Sequence, residues 1–342
     1  MQDDEGDALT DTTFQASAPL RLDFAGGWTD VAPFAERERG VVVNAAISLR
    51  ANAALQAGGD RFVLQSDDLD QRLELEGTEP LASGGGLPLL RAALRRAGVG
   101  PCALRTWSEV PAGSGLGSSG ALGVALTAAL DAFRGRRRGP AETAEEAWLS
   151  ETVDAAIAGG KQDQYAAAFG GFNRLVFERG TATREAIRIS DDVAAALAQR
   201  LVVCYTGSSR VSGDTIARVM TRYVRGDRVV VGALQAMAEL ADAMAEALPA
   251  GDMSRIGRLL NENWMLQQLL DPEMCTEPMA RLAAAMQMAG GLGGKAAGAG
   301  AGGSMFFVTG DRWRAVQAAR EAGARILDCA WSPQGVLLER TS

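Results

Sequence analysis

The 342-residue sequence contains no histidine. This absence excludes a Ser-His-Asp triad, a His-Glu-x-x-His zinc site and an imidazole general base. Any acid–base chemistry therefore falls to carboxylates, lysine, tyrosine or cysteine. Lysine is almost absent as well, because only Lys161 and Lys295 occur among the 34 basic residues. Both lie inside glycine-rich segments, which gives them weight as candidate functional residues.

Cysteine and long apolar runs are scarce too. The four cysteines are far apart and form no Cys-x-x-Cys pair: Cys102, Cys204, Cys275 and Cys329. We therefore expect neither a zinc site nor a disulfide framework, and the sequence predicts a reducing, cytoplasmic location. Because the N-terminus is acidic and no apolar run approaches membrane-spanning length, we expect neither a signal peptide nor a membrane anchor.

Basic character is also lacking, since the net charge is −8 and the sequence pI is about 4.9. Binding to a phosphate backbone needs a basic surface, so a nucleic acid is not expected as a partner. Apolar residues, by contrast, are plentiful at 47%. A chain of this length and composition can bury a large core and favours two domains over one.

Strand-like and helix-like runs are mixed along the chain without a regular repeat. They predict an α+β fold of two domains, residues 15–195 and 196–342, with the boundary near residue 195. Residues 1–14 are polar and are predicted to be disordered. Strands are predicted at 18–24, 41–55, 61–65, 72–75, 102–110, 171–177, 201–205, 305–309, 325–329 and 336–339. Helices are predicted at 88–97, 121–133 and 142–158, and through most of 212–289.

The most informative segment is the glycine-rich turn at residues 111–121, Pro-Ala-Gly-Ser-Gly-Leu-Gly-Ser-Ser-Gly-Ala. It connects a predicted strand to a predicted helix. Glycines allow the backbone to form a concave nest of inward N–H groups, and the following helix adds its positive N-terminal end. The segment therefore predicts an anion site, for which phosphate is the usual ligand. It is not a Walker A loop, because no Gly-Lys-Ser/Thr ends it.

A dinucleotide site is the alternative interpretation of the same turn. Gly115–Gly120 matches the fingerprint Gly-x-Gly-x-x-Gly between a strand and a helix. The acid expected about twenty residues further on is missing, and arginines stand there instead. This interpretation also leaves Lys161, Asp163 and the glycine-rich residues 290–303 without a role, whereas a kinase hypothesis uses these segments.

Two carboxylates stand out by their position in predicted helices. Glu151 shares an apolar helical stripe with Ala147 and Ala155, and burying a lone carboxylate is costly unless a cation or hydrogen bonds compensate. A magnesium ligand and a structural partner for an arginine are both open. Asp163 falls in the first turn of a short helix after Gly159–Gly160, where the helix dipole favours an ionised carboxylate. A capping role and a functional role are both open for this residue.

Three segments together resemble the GHMP kinases, the family of galactokinase, homoserine kinase, mevalonate kinase and phosphomevalonate kinase. Residues 18–30 resemble the N-terminal motif in its sugar-kinase form, residues 111–120 the central motif and residues 295–303 the C-terminal motif. They occur in the family's order and spacing, so the likeness spans about residues 17–340. Ala301 departs from the pattern, since the family has glycine there, and its methyl group is expected to tighten the loop. The resemblance implies an N-terminal β/α domain with the phosphate-binding loop and a ferredoxin-like C-terminal α/β domain.

Further segments are similar to particular sugar kinases of this family. Residues 159–171 and 205–210 are similar to members that act on D-glycero-D-manno-heptose 7-phosphate. Members that act on L-fucose have counterparts of residues 26–30, 42–47 and 264–272. The resemblance thus implies an ATP- and Mg²⁺-dependent kinase for the anomeric C1 hydroxyl of the heptose phosphate, with L-fucose or another sugar as the alternative. A different class also stays open: an inactive regulator that binds ATP and sugar.

The same resemblance gives each candidate residue a role in phosphoryl transfer. Asp163 would accept or orient the C1-hydroxyl proton, and Arg21 would keep that carboxylate ionised. Ser119 and Glu151 would complete a magnesium site. The ATP phosphates would be held by Pro111, Gly113, Ser114, Gly115, Leu116, Gly117, Ser118 and Ser119. The sugar would be bound by Gly27, Thr29, Asp30, Lys161 and Gly300, although Lys161 has the alternative of pairing with a neighbouring acid. Arg50 and Arg210 are the candidate cations for a distal phosphate.

Overall fold

Two long antiparallel strands, β1 (Thr13–Ala25) and β2 (Gly40–Ala57), form the centre of the larger of two sheets. The structure is a computed structural model that describes residues 12–82, 84–207 and 212–341. From Ala18 onward every residue of β1 is buried, because helices cover both faces of the strand there. Such a doubly covered strand is apolar without alternation.

Six shorter strands complete this eight-stranded sheet, in the order β12-β1-β2-β5-β3-β4 with β6 beside β2 and β7 beside β6. Their bounds are β3 (Phe62–Ser66), β4 (Gln71–Leu75), β5 (Cys102–Ser108), β6 (Phe172–Glu178), β7 (Thr181–Ala186) and β12 (Leu337–Thr341). The helices of this half are α1 (Phe34–Arg37), α2 (Glu79–Ala82), α3 (Pro88–Ala97), α4 (Ser118–Phe133), α5 (Pro140–Leu149), α6 (Gln162–Phe169) and α7 (Asp191–Arg200). Both α4 and α6 pack against β1 and β2, so the segments that precede these helices meet at the end of β1.

The second half is built on a four-stranded antiparallel sheet of order β11-β8-β10-β9. Its strands are β8 (Leu201–Tyr205), β9 (Gly291–Ala296), β10 (Ser304–Thr309) and β11 (Arg325–Ile326). Its helices are α8 (Ser212–Val224), α9 (Arg228–Ala250), α10 (Met253–Leu270), α11 (Glu277–Met288) and α12 (Arg312–Glu321). The chain order strand, helices, strand, strand, helix, strand with this sheet order is the ferredoxin-like arrangement, which confirms the fold predicted for this half.

The two halves are joined by more than one connection. Both α9 and α10 pack against β1, and α9 also packs against β2. The last strand, β12, returns to the first sheet and pairs with β1. The boundary near residue 195 falls inside α7 and stays a prediction.

Most predicted strands and helices are confirmed, but the sequence does not predict β7, α7 or α12. In β7 most side chains are exposed or half-buried, so the strand carries no apolar pattern. Helix α7 buries one residue, Leu197, and α12 buries the alanines Ala315 and Ala319. An apolar stripe of one residue or of alanines is too weak a periodic signal to predict a helix.

Two predictions about element bounds are wrong. Residues 12–14 are not disordered, because β1 begins at Thr13 and the buried Phe14 packs edge-on against Phe133; residues 1–11 lie outside the described residues. The strand expected at 325–329 ends at Ile326. The glycine-rich run 290–303 begins as strand β9, whose glycines allow α10 to approach the backbone closely, and continues as a loop.

The helix predicted over 142–158 is also wrong at its end. Helix α5 stops at Leu149 and continues as a single π-helical turn, Ser150–Asp154. After this turn Ala156 has a positive φ of 53°. The wider turn and the left-handed residue redirect the chain, so that residues 156–160 run toward the cleft described below. Among the described residues, no helix is long and apolar enough to cross a membrane.

The contact between α10 and β9 gives a test of the fold. A Cβ added at Gly293 would lie 1.8 Å from the carbonyl oxygen of Gly257, so we expect Gly293→Ala to lower the free energy of unfolding by about 2 kcal/mol or more through backbone displacement. The matched control is Gly232→Ala in α9, where a Cβ meets nothing within 4 Å. That change should stabilise by about 0.5–1 kcal/mol. Urea unfolding of both variants measures the difference, and equal effects would contradict the packing.

Candidate active site

A cleft of about 720 Å³ lies between the two halves, at the end of β1 and the beginning of α4. Its walls come from β1 and the turn after it, the glycine-rich loop 111–117, the π turn, residues 156–160, α6, the start of α8 and the loop after β9. Ten of the residues predicted from the sequence line it: Arg21, Gly27, Asp30, Gly113, Gly115, Gly117, Ser118, Ser119, Glu151 and Asp163.

The glycine-rich loop before α4 has the backbone of an anion nest. Gly113, Gly115 and Gly117 have φ values of +71°, +77° and +77°, separated by residues with negative φ. This alternation turns successive N–H groups to one side. Gly117 is also the N-cap of α4, so the free N–H groups and positive end of a 16-residue helix face the same cleft.

Arg21 on β1 and Asp163 in the first turn of α6 form an ion pair at the base of this loop. The Arg21 Nε donates to Asp163 Oδ1 at 2.6 Å, and the Arg21 side chain is 6% exposed against 27% for Asp163. One terminal nitrogen of the guanidinium also donates to the carbonyl oxygens of Gly115 and Ala297, both at 2.8 Å. Asp163 lies directly against the loop, because a Cβ at Gly120 would be 2.5 Å from the Asp163 Cβ.

The loop after β9 packs on the first glycine-rich loop through backbone atoms. The Ser304 N–H donates to the Ser114 carbonyl oxygen at 2.7 Å. A Cβ at Gly298 would stand 2.4 Å from the Gly115 carbonyl oxygen, so this approach requires glycine. Ala301, the departure from the family pattern, has a φ of +59° and donates its N–H to the Met274 carbonyl oxygen at 2.7 Å. The loop therefore accommodates this methyl group in a left-handed conformation.

Ser119 and Glu151 form the second polar pair of the cleft. The Ser119 hydroxyl donates to Glu151 Oε1, and the Gln164 side-chain amide donates to Oε2 at 2.6 Å. Burial raises the pKa of Glu151 to about 7, although both hydrogen bonds act in the opposite direction. The partners of Glu151 are thus a hydroxyl and an amide. Among the described residues, no arginine pairs with Glu151.

Asp30 lies in the turn after β1 and lines the same cleft. Its Oδ2 accepts the backbone N–H of Gln162 at 3.0 Å, while the buried Oδ1 has no hydrogen-bond partner among the residues that the structure describes. Burial raises the pKa of Asp30 to about 6, and the charges of Asp163 and Asp23 act in the same direction. This carboxylate is therefore poised to accept hydrogen bonds from hydroxyl groups.

Several predicted site residues do not line the cleft. The Lys161 ammonium bonds to Glu145 at 2.8 Å, donates to the Gly180 carbonyl oxygen and stacks over the Trp148 ring, so its position matches the ion-pair alternative and not the expected sugar contact. Thr29 is buried and donates to the Gly26 carbonyl oxygen. The remaining residues belong to the two glycine-rich loops but do not line the cleft: Pro111, Ser114, Leu116 and Gly300.

The two candidate cations for a distal phosphate, Arg50 and Arg210, have different outcomes. The Arg50 guanidinium bonds to the carbonyl oxygens of Ser17 and Gly335, away from the cleft, so this prediction does not fit the structure. Arg210 lies outside the described residues. In the described part of the cleft wall, Arg21 is the one cationic residue.

Sequence reasoning missed one ionic contact at the cleft. Asp23 on β1 lines the cleft, and its carboxylate pairs with Lys295 on β9 at 2.8 Å. The scarcity of lysine drew attention to Lys295, but nothing in the sequence indicates its partner 272 positions away. A signal was present, because Asp23 lies two positions after Arg21 on the same strand. This spacing assigns both side chains to one face of β1.

Comparison with known proteins agrees with the sequence motifs. Residues 87–171 match the GHMP kinases N terminal domain, and residues 244–326 match the GHMP kinases C terminal domain. The chain is 30% identical to D-glycero-alpha-D-manno-heptose 7-phosphate kinase of Campylobacter jejuni, over 95% of this chain and 98% of that protein.

Two further proteins are similar over most of this chain. The bifunctional fucokinase/GDP-fucose pyrophosphorylase of Arabidopsis thaliana is 28% identical over 87% of this chain, which covers 30% of that longer protein. The crystal structure of a D-glycero-D-manno-heptose 1-phosphate kinase from Bacteroides thetaiotaomicron superposes with a TM-score of 0.78 at 23% identity, covering 95% of this chain and 98% of that one. At this identity the structure shows a shared fold.

The raised pKa of Asp30 predicts a pH-dependent stability difference. Folding raises this pKa from 3.8 to about 6, so the wild-type protein loses stability as the pH rises through this interval and keeps the penalty above it. Asparagine can accept the same Gln162 N–H without carrying a charge. We expect Asp30→Asn to gain stability relative to wild type between about pH 4 and pH 6, and to keep that gain at pH 8.

Urea unfolding at these three pH values measures the effect. Asp242→Asn is a control of opposite sign, because despite partial burial the hydrogen bonds from Arg39 and Arg174 lower the pKa of Asp242. Because the titration interval of Asp242 lies below pH 4, Asp242→Asn should lose nearly the same stability at all three pH values. A difference between Asp30→Asn and wild type that does not change with pH would contradict the raised pKa.

Proposed function

Because the chain belongs to the GHMP kinase family and is therefore a phosphotransferase that uses ATP, we propose that it transfers the γ-phosphoryl group of ATP to the anomeric C1 hydroxyl of a sugar. One observation carries the proposal: the Asp163 carboxylate, held by Arg21 at 2.6 Å, lies against Gly117 and Gly120 of the anion nest. A base beside a phosphate site is the arrangement that phosphoryl transfer to a hydroxyl requires.

In this mechanism Asp163 acts on the proton of the acceptor hydroxyl. Oδ1 is taken by Arg21, so the other oxygen is the one that receives the proton as the C1 oxygen bonds to the γ-phosphorus. The bond between that phosphorus and the β,γ-bridging oxygen breaks, and ADP leaves. Arg21 fixes the orientation of the carboxylate, and backbone N–H groups of the glycine-rich loop, together with the positive N-terminal end of α4, stabilise the phosphates.

The residues present also fit a magnesium ion. Mg²⁺ takes hard oxygen ligands, keeps several waters, and is bound through one or two carboxylates together with substrate phosphates. We propose that the Ser119 hydroxyl and the Glu151 carboxylate hold it, because they already lie in contact beside the nest. When bound, the ion supplies positive charge to the transferring phosphoryl group. In the absence of the ion, Ser119 and Gln164 satisfy both oxygens of Glu151.

For the acceptor, we propose D-glycero-D-manno-heptose 7-phosphate, with L-fucose as the second candidate. Similarity over nearly the whole length of the Campylobacter jejuni heptose 7-phosphate kinase supports the first. The charges of the cleft wall support the second candidate. Among the described residues, the wall contains Asp23, Asp30 and Asp214 but no cation other than Arg21, which is already paired with Asp163. A neutral sugar needs none, whereas a phosphorylated sugar needs a cation, for which Arg210 is the candidate.

Substitution of Asp163 tests the mechanism. We expect Asp163→Asn to lower kcat by roughly 100-fold or more, because the amide cannot accept the proton, while the dissociation constant for ATP changes by less than about threefold. Steady-state ADP release and equilibrium ATP binding are the two measurements. The control is Glu185→Gln, which removes an exposed partner of Arg174 outside the cleft and should leave both unchanged. Wild-type turnover in a folded Asp163→Asn protein would remove this residue from the mechanism.

A panel of acceptors tests the substrate. ADP release is measured with heptose 7-phosphate, the same heptose without phosphate, L-fucose and D-galactose. We expect kcat/KM for the phosphorylated heptose to exceed that for the free heptose by about tenfold or more, since a charged hydrogen-bonded contact is worth that much. Preference for L-fucose would support the second candidate. Sugar and ATP binding without any ADP release would support a non-catalytic regulator instead.

A further inference from the structure

The most deeply buried ion pair of the described residues joins the two halves at the acceptor end of the cleft. Lys295 on β9 donates from Nζ to the carbonyl oxygen of Asp23 at 2.7 Å and to Asp23 Oδ2 at 2.8 Å. The side chains are 0% and 2% exposed. Both charged groups are thus shielded from water, although Asp23 is one of the residues that line the cleft.

Stability alone is a weak reason for such a pair. Desolvating two charges costs about as much as their attraction returns, and apolar residues of similar volume often do as well or better. The neighbouring Phe306 shows that the surroundings are apolar, since the Lys295 ammonium lies 6.0 Å from the centre of its ring. A buried pair at this position therefore calls for a role beyond holding β1 to β9.

The Asp23 carboxylate retains an unused acceptor. Its Oδ2 is bonded to Lys295, whereas the buried Oδ1 has no hydrogen-bond partner among residues 12–82, 84–207 and 212–341. A buried oxygen of an ionised carboxylate without a donor is costly. Asp30 has the same pattern, with Oδ2 bonded to the protein and Oδ1 without a donor. Asp23 follows Arg21 by two positions on one strand, so it lies beside the Arg21–Asp163 pair.

We propose that Asp23 binds a hydroxyl group of the acceptor sugar, and that Lys295 is the positioning residue that orients this carboxylate. The inference rests on the proposed function, since it assigns a further binding residue to the same site. The sugar would then be held by two carboxylates, Asp23 and Asp30, each with one oxygen fixed by the protein and one that accepts from the sugar. Because Lys295 comes from the second half, the acceptor site is complete only when the two halves are together.

Asp23→Asn is the direct test, with the KM values for sugar and ATP measured separately. We expect the sugar KM to rise about tenfold and the ATP KM to change by less than about twofold, because a hydrogen bond to a charged group is lost at the acceptor alone. Asp242→Asn is the matched control, since it breaks an aspartate–arginine pair between β6 and α9 outside the cleft. It should leave both constants unchanged.

A second variant separates binding from folding. This variant is the double substitution Asp23→Asn with Lys295→Met. It removes both buried charges, so its unfolding midpoint should return toward that of the wild type. We expect its sugar KM to stay about tenfold raised. Recovery of a normal sugar KM together with stability would overturn the proposal, because the pair would then be structural only.

Deoxy analogues of the sugar identify the contact. One analogue that lacks a single hydroxyl should bind the wild type about tenfold more weakly than the parent sugar, yet bind Asp23→Asn no more weakly than the parent does. If every analogue loses the same factor in both proteins, Asp23 touches no hydroxyl and the proposal is wrong. Failure of the proposed function is distinct from this result, since it would appear as a wild-type protein without sugar-dependent ADP release.

Discussion

The Arg21 guanidinium is the contact on which the arrangement of the cleft depends. It reaches the Asp163 carboxylate, the Gly115 carbonyl oxygen in the first glycine-rich loop and the Ala297 carbonyl oxygen in the second. A planar group with five donors can make these bonds at once, whereas an ammonium group offers one point charge. Arg21 itself sits on a strand that is buried on both faces, so its position is fixed by the core of the first half. The candidate base, the phosphate nest and the second half are thereby aligned to one rigid strand.

Close approach of backbones explains why both loops are rich in glycine. At the contact of Gly298 with Gly115, a side chain on the former would overlap a carbonyl oxygen. The two loops therefore meet through main-chain atoms. A conformation of this kind is entropically expensive for glycine, and the hydrogen bonds from Arg21 and from the Ser304 N–H offset that cost. The loop that would bind phosphates is thus held in shape by contacts from both halves of the chain.

Whether the sequence predicts a feature depends on how far apart along the chain the interacting residues lie. The nest at 111–121 and the position of Asp163 in a first helical turn are local properties of a few neighbouring residues, and the structure has both. The contacts of Glu151 are not local, because its carboxylate meets Ser119 and Gln164, which lie 32 and 13 positions away along the chain. Pairing between Asp23 and Lys295 depends on how β1 meets β9, which no spacing along the chain reveals.

Charge balance in the cleft shows how its carboxylates are divided between tasks. Asp163 and Asp23 each form an ion pair with a buried cation, Arg21 and Lys295 respectively. Asp30 and Glu151 have neutral donors instead, and burial raises the pKa of Asp30 to about 6 and that of Glu151 to about 7. Under the proposed function, a triphosphate would enter a cleft in whose described wall Arg21 is the one cationic side chain. The compensating positive charge would then have to come from the N-terminal end of α4 and from the magnesium ion proposed for Ser119 and Glu151.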